Sequence, residues 1–281
     1  MVNGLLKPAA AREEVALGAA LLHIRVMITR LLGRARSQPQ QAVAPETPPG
    51  SRIYAIGDIH GRADLLRRLH RMIHEDAYRR QAPRNVVVYL GDYIDRGDAS
   101  PGVIDLLLDE PLPGFLSVHL KGNHEDTMLR FLDDTGIGPS WMLYGGADTL
   151  ASYGIRPPPL TGGTAEIERV QQELRARLPK RHHRFLAGLR LVHEEGDYLF
   201  AHAGVRPDVP LERQQEEDLL WIRDEFLLSD AEFGKIIVHG HTITERPDVQ
   251  RNRIGIDTGA FASGTLTCLV LEGADWFFLQ T

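Results

Sequence analysis

Five short segments of this 281-residue chain gather the residue types that bind cations and move protons. They are Gly57-Asp58-Ile59-His60-Gly61, Gly91-Asp92-Tyr93-Ile94-Asp95-Arg96-Gly97, Gly122-Asn123-His124-Glu125, His202-Ala203-Gly204 and Gly240-His241-Thr242. Asp58 and His60 are two apart, which puts both side chains on one side of an extended backbone. Carboxylate, carboxamide and imidazole together suit borderline divalent cations such as Mn²⁺, Fe or Zn²⁺, and the lack of thiolates argues against a structural zinc site. Neighbouring glycines allow tight turns and close backbone approach. One Gly-Asp pair is usually a turn, and one histidine on a sheet is usually a packed core residue. Five such segments, each directly after an apolar run, are not explained by packing alone.

The elements that must hold these segments follow from periodicity. Residues 52–56, 86–90 and 116–120 read as strands, alternating with helices over 63–78, 103–109 and from about Glu125. That alternation predicts βαβ units and a mostly parallel sheet. Ligands collect at the carboxyl ends of strands in such sheets, so the motif loops should converge. Beyond Tyr198 the strand-like runs 198–201, 235–238, 254–256, 266–271 and 276–279 predict a second sheet packed on the first. Between the two, residues 126–190 are helical and loop-rich without a ligand pattern and are expected to cap the site.

The first fifty residues differ in composition. Residues 15–32 are apolar but interrupted by His23 and Arg25, too broken for a confident membrane span and lacking the order of a secretory signal. They read as a helix docked on its own domain or a partner, with a membrane-surface helix as the alternative. Residues 38–50, with four prolines, read as a linker to a catalytic domain over 51–281. The net charge is -6 and the first fifty residues are net basic, so the body is acidic and no nucleic-acid partner is expected. The single cysteine, Cys268, excludes an internal disulfide, fits a reducing, cytoplasmic setting and lies in a strand-like run, which predicts inert packing.

With Trp141-Met142-Leu143-Tyr144-Gly145-Gly146, Trp221-Ile222-Arg223 and Ile256-Asp257-Thr258-Gly259-Ala260, the five motifs resemble the metallophosphoesterase superfamily. Within it they are most similar to the phosphoprotein phosphatases of the lambda-type and bacterial serine/threonine kind, over about residues 52–270. The resemblance implies an α/β fold of two packed mixed β-sheets flanked by helices, a calcineurin-like sandwich with a small helical cap. It implies two divalent metals, Mn²⁺ foremost, the first on Asp58 and His60, the second on Asn123, His202 and His241, with Asp92 as the bridge. His124 resembles the general acid, Asp95 the carboxylate that orients it, and Arg96 and Arg223 the phosphate-clamping arginines. The implied reaction is hydrolysis of phosphate monoesters by metal-activated hydroxide, on phosphoserine or phosphothreonine in proteins or a small phosphoester. The runner-up is a dinucleoside polyphosphate (diadenosine tetraphosphate) hydrolase. A scaffold with a silent site is opposed by the presence of every expected group. Two departures stand out: Ile243 occupies the position where many relatives carry a further histidine, and His239, where eukaryotic relatives have arginine, reads as a non-ligand.

Overall fold

A computed structural model describes residues 44–159 and 162–281. The apolar stretch 15–32 and the first part of the Pro-rich segment, with the docking and membrane-surface readings placed there, lie outside the described residues. Among those described, ten strands are β1 (Ser51–Ile56), β2 (Arg84–Tyr89), β3 (Phe115–His119), β4 (Val192–Glu195), β5 (Tyr198–Ala201), β6 (Ile236–His239), β7 (Asp248–Val249), β8 (Arg253–Gly255), β9 (Thr267–Glu272) and β10 (Asp275–Gln280). They form two five-stranded sheets, ordered β10-β9-β1-β2-β3 and β4-β5-β6-β8-β7. Each has three parallel strands at its heart, β1, β2 and β3 in one and β5, β6 and β8 in the other, and the remaining strands pair antiparallel.

Side chains alternate across a strand, so a strand covered on both faces must be apolar throughout. In β1, Ile53 and Ala55 meet the second sheet, while Tyr54 and Ile56 meet helices. In β2, Val86 and Val88 point inward between the sheets, and Val87 and Tyr89 outward. Tyr198 and Phe200 of β5 answer them from the second sheet, whose outer face is covered by Leu219, Ile222 and Phe226. The helix Ala63–Arg80 buries Leu66, Leu69, Ile73 and Ala77, spaced three or four apart, against the first sheet.

Three features differ from the sequence reading. β9 and β10 return antiparallel to the first sheet and do not extend the second. β4 reads Val-His-Glu-Glu, a polar edge strand without the apolar run that marks a central one, and β7 has only two residues. The segment 126–190 is helical, but Phe131, Trp141, Leu150, Ile167, Val170 and Leu186 belong to the same core as the first sheet, so its inner side is built into the domain. Cys268 is fully buried in β9, where burial pushes its thiol up. His70 and His182 are buried and hydrogen-bonded to the hydroxyls of Tyr89 and Tyr153. Among the described residues no helix is long and apolar enough to cross a membrane.

The end of the Pro-rich segment also has a structural role. The Thr47 N–H donates to the Gly273 carbonyl at 3.0 Å, and the Gly273 N–H donates back to the Thr47 hydroxyl at 2.8 Å. The Glu46 N–H donates to the Asp197 carboxylate at 2.9 Å, and the Asp197 N–H donates to the Glu46 carbonyl at 3.0 Å. Gly273 turns β9 into β10 and Asp197 turns β4 into β5, so this strap ties a hairpin of each sheet to the other. A chain beginning at Ser51 should therefore melt lower than one beginning at Ala44. Two or three net hydrogen bonds at about 1 kcal/mol each correspond to roughly 4–12 °C for a domain of this size. Equal midpoints in differential scanning calorimetry would show that the strap contributes nothing.

Candidate active site

All five motif loops leave the carboxyl ends of parallel strands. Asp58 and His60 follow β1; Asp92, Asp95 and Arg96 follow β2; Asn123 and His124 follow β3; His202 follows β5 and His241 follows β6. The loops are stitched together. The Ile59 and His60 N–H groups donate to the Asp92 carbonyl at 3.0 and 2.8 Å. The Gly240 N–H donates to the His202 carbonyl at 2.8 Å, and the His241 N–H donates to both Asp58 carboxylate oxygens at 3.2 and 3.0 Å. Gly91 adopts φ +106, and a Cβ there would collide with the Gly122 backbone at 2.6 Å, so only glycine lets these two loops touch.

Asp92 lies at the centre. His60 Nε2 is 3.5 Å from Asp92 Oδ2, His124 Nε2 is 3.8 Å from the same oxygen, and His202 Nε2 is 3.4 Å from Oδ1. Burial alone would raise the Asp92 carboxyl, but the surrounding histidines, with His124 the charged one among them, hold it below the usual carboxylate range. Burial also pulls His60 down to about 3, His241 to about 2, and His202 below its ordinary value. These rings are therefore neutral, each with a free lone pair.

The donor set fits cations. His60 Nδ1 donates to the Ile94 carbonyl at 2.8 Å, leaving buried Nε2 without a partner. His202 Nδ1 donates to the Leu90 carbonyl at 2.9 Å, so its Nε2, 2.9 Å from Asn123 Oδ1, sets a lone pair against a lone pair. His241 Nδ1 lies 2.9 Å from the same Asn123 oxygen, and its buried Nε2 has no partner. Acceptors converging without donors are what a positive ion stabilises. Two trios have donor atoms within 4.8 Å of one another, His60-Asp92-His124 and Asp92-His202-His241, and Asp92 is common to both. Asp58 is in neither trio; its carboxylate is turned onto the His241 N–H. His239 is also in neither, and its ring packs 5.1 Å from Phe226.

His124 has a different environment. Its Nδ1 donates to Asp95 Oδ2 at 2.6 Å. Asp95, fully buried, also accepts from the Trp141 indole at 2.9 Å and the Thr149 hydroxyl at 2.6 Å. Burial would lower the His124 imidazole, yet the Asp92 and Asp95 carboxylates push it up to about 9, with Arg96 acting in the opposite sense. Arg96 Nη2 lies 3.1 Å from His124 Nε2, and its guanidinium stacks 4.9 Å from the Phe261 ring. Arg223 donates to the Thr242 hydroxyl at 3.1 Å. Arg96, Arg223, Asn123 and His124 line one cavity of about 390 Å³ with Thr127, Ser140, Trp141, Tyr144 and Trp221. A larger hollow of about 730 Å³, lined by Arg175, Lys180 and His183, contains none of the motif residues.

Several positioning residues escaped the sequence reading. Glu125, fully buried, accepts from the N–H groups of Asp92, Tyr93 and Gly122 at 2.9, 2.8 and 2.9 Å and so fixes two motif loops at once. Its place in Gly122-Asn123-His124-Glu125 was the available signal. Thr149 and Phe261 carry no motif, and only the fold brings them to Asp95 and Arg96.

A profile for the calcineurin-like phosphoesterase matches residues 51–260. The bis(5'-nucleosyl)-tetraphosphatase PrpE (asymmetrical) of Anoxybacillus flavithermus is 25% identical over 233 residues, 76% of this chain and 88% of that protein. Serine/threonine-protein phosphatase 2 of Salmonella typhimurium is 29% identical over 226 residues, 76% of this chain and 90% of that one. A crystal structure described as a candidate diadenosine tetraphosphatase superposes with a TM-score of 0.55 at 21% identity, over 85% of this chain and 98% of the other, and shares the fold. The two mixed sheets, the loops converging on Asp92 and the match over most of the domain together establish that the chain belongs to the calcineurin-like phosphoesterase family.

Proposed function

We propose that the chain is a phosphatase of phosphate monoesters, acting foremost on phosphoserine and phosphothreonine in proteins. In this reading Asp58, His60 and Asp92 hold one divalent cation, and Asp92, Asn123, His202 and His241 hold the other, Mn²⁺ being the ion expected. The family uses dinuclear divalent metals. Such a pair supplies a water of lowered pKa and neutralises phosphoryl oxygens during in-line displacement.

The chain's own groups account for the rest. Arg96 and Arg223 flank the cavity and present forked N–H donors that match phosphoryl oxygens. His124 Nε2 and Arg96 Nη2, 3.1 Å apart, both carry N–H groups when the imidazole is charged, and an oxygen bound between them would accept from both. Asp95, immobilised by Trp141 and Thr149, keeps the His124 proton on Nδ1 and stabilises the imidazolium. His124 then gives the Nε2 proton to the departing oxygen.

The buried His124–Asp95 pair carries the monoester reading. A serine alkoxide cannot leave without a proton, whereas a nucleotide phosphate is already a stable anion. A histidine paired with a carboxylate that Trp141 and Thr149 hold in place is best explained by the poor leaving group. A second reading, dinucleoside polyphosphate hydrolysis, is favoured by Tyr144 and Trp221, partly exposed aromatic side chains lining the arginine cavity and able to stack a nucleobase. Two of the relatives named above point one way and the other. Purified protein stripped of metal should release no phosphate, and Mn²⁺ should restore turnover. Given a phosphoserine peptide and diadenosine tetraphosphate in parallel, it should prefer the peptide. A preference for the dinucleotide would replace the first reading by the second, and full turnover in demonstrably metal-free protein would end both.

His124→Asn should cost roughly 10²–10⁴-fold on a phosphoserine peptide, the usual worth of a positioned acid. The loss on p-nitrophenyl phosphate should be distinctly smaller, because that phenolate leaves with little help. Bound metal should be unchanged. Equal losses on both substrates, with loss of metal, would show that His124 supports the site's structure and is not the acid.

A further inference from the structure

We propose that Asp257 is a further carboxylate of the first cation position, sharing the ion with Asp58, His60 and Asp92. The inference rests on the two-cation reading above and adds a residue to it.

Asp257 follows β8, the third parallel strand of the second sheet, at the carboxyl end where the motif loops gather. It is 1% exposed. Its Oδ1 accepts the Gly259 N–H at 2.9 Å, whereas its buried Oδ2 has no hydrogen-bond partner. Its backbone nitrogen lies 3.6 Å from where a Cβ on Gly57 would stand, which sets Asp257 beside the segment that carries Asp58. A buried carboxylate oxygen without a hydrogen-bond donor is stabilised by positive charge beside it. The nearby arginine, Arg96, directs its guanidinium to the Phe261 ring and His124 and makes no ion pair with either carboxylate.

The neighbouring chain explains why a carboxylate is needed here. Ile243, two residues beyond His241, brings a methyl within 3.0 Å of where a Gly259 Cβ would stand, so no imidazole reaches the site from that position. The Thr244 N–H donates to the Asp257 carbonyl at 3.0 Å and locks the two loops together. Without Asp257 the first position would have three protein ligands against four at the second; with it both have four. Three carboxylates and one imidazole are also a harder donor set than the two imidazoles, carboxamide and carboxylate of the second position. The first position should therefore favour a harder ion such as Mn²⁺ over Zn²⁺.

Isothermal titration of chelator-treated full-length protein with Mn²⁺ tests this, with circular dichroism confirming the fold. The wild-type chain should bind two ions. Asp257→Asn, which keeps the shape and removes the charge, should weaken one binding event roughly ten- to hundredfold and leave the other as it was. Two ions bound by Asp257→Asn with wild-type affinities would overturn the assignment of Asp257 while leaving the two-cation reading intact. A wild-type chain that binds no Mn²⁺ would overturn both. Should Asp257→Asn lose its fold, Asp257→Glu decides the matter: a shifted affinity at one event supports the assignment, and unchanged affinities at both refute it.

Discussion

Asp92 is a carboxylate buried among imidazoles, with His60, His124 and His202 nitrogens 3.4 to 3.8 Å from its two oxygens. An isolated carboxylate in such a place would take up a proton. The charged His124 ring favours its ionised form, while burial keeps His60, His202 and His241 neutral, with lone pairs facing inward. The result is a concentration of acceptors around one anionic centre, costly by itself and relieved by positive charge on either side. The arginines, the His124–Asp95 pair and the cavity are all arranged around that centre.

Holding it demands strain in the backbone. Seven non-glycine residues among those described have positive φ, and five of them are His60, Asp92, Asp95, Arg96 and His241. Each such conformation costs on the order of 1–3 kcal/mol. The cost is met by contacts that leave the loops little alternative: Glu125 accepting backbone N–H groups of the Asp92 loop, Asp58 accepting the His241 N–H, and the Asp95 N–H donating to the Thr149 and Ser100 hydroxyls. The sandwich makes this possible. Its inter-sheet core of Val86, Val88, Phe200 and Val238 fixes two sets of parallel strands so that their carboxyl ends supply the same site.

What was legible in the sequence follows from the same physics. Central strands such as β1, β2 and β5 must be apolar on both faces, so they stood out, and the residues after them carried the chemistry in plain types. Edge strand β4 is under no such demand and was missed. The return of β9 and β10 to the first sheet depends on pairing between residues more than 200 apart, as Ile53 with Leu271, which no local pattern records. The ligand-type residues, from Asp58 to His241, were visible because each sits in a Gly-flanked motif. Thr149, Phe261 and the orphaned oxygen of Asp257 act only through tertiary neighbours. The Pro-rich stretch looked like linker to its end because prolines signal turns, yet Glu46 and Thr47 join the two sheets through backbone groups that carry no sequence signature.

The central claim is that Asp92 stands between two cations. Anomalous diffraction at the manganese edge, from crystals grown with Mn²⁺, addresses it without reference to any substrate. The account predicts two peaks about 3.5–4 Å apart, one on the His60 side of Asp92 and the other beside Asn123, His202 and His241. A single peak, or two peaks that do not share the Asp92 carboxylate, would contradict it.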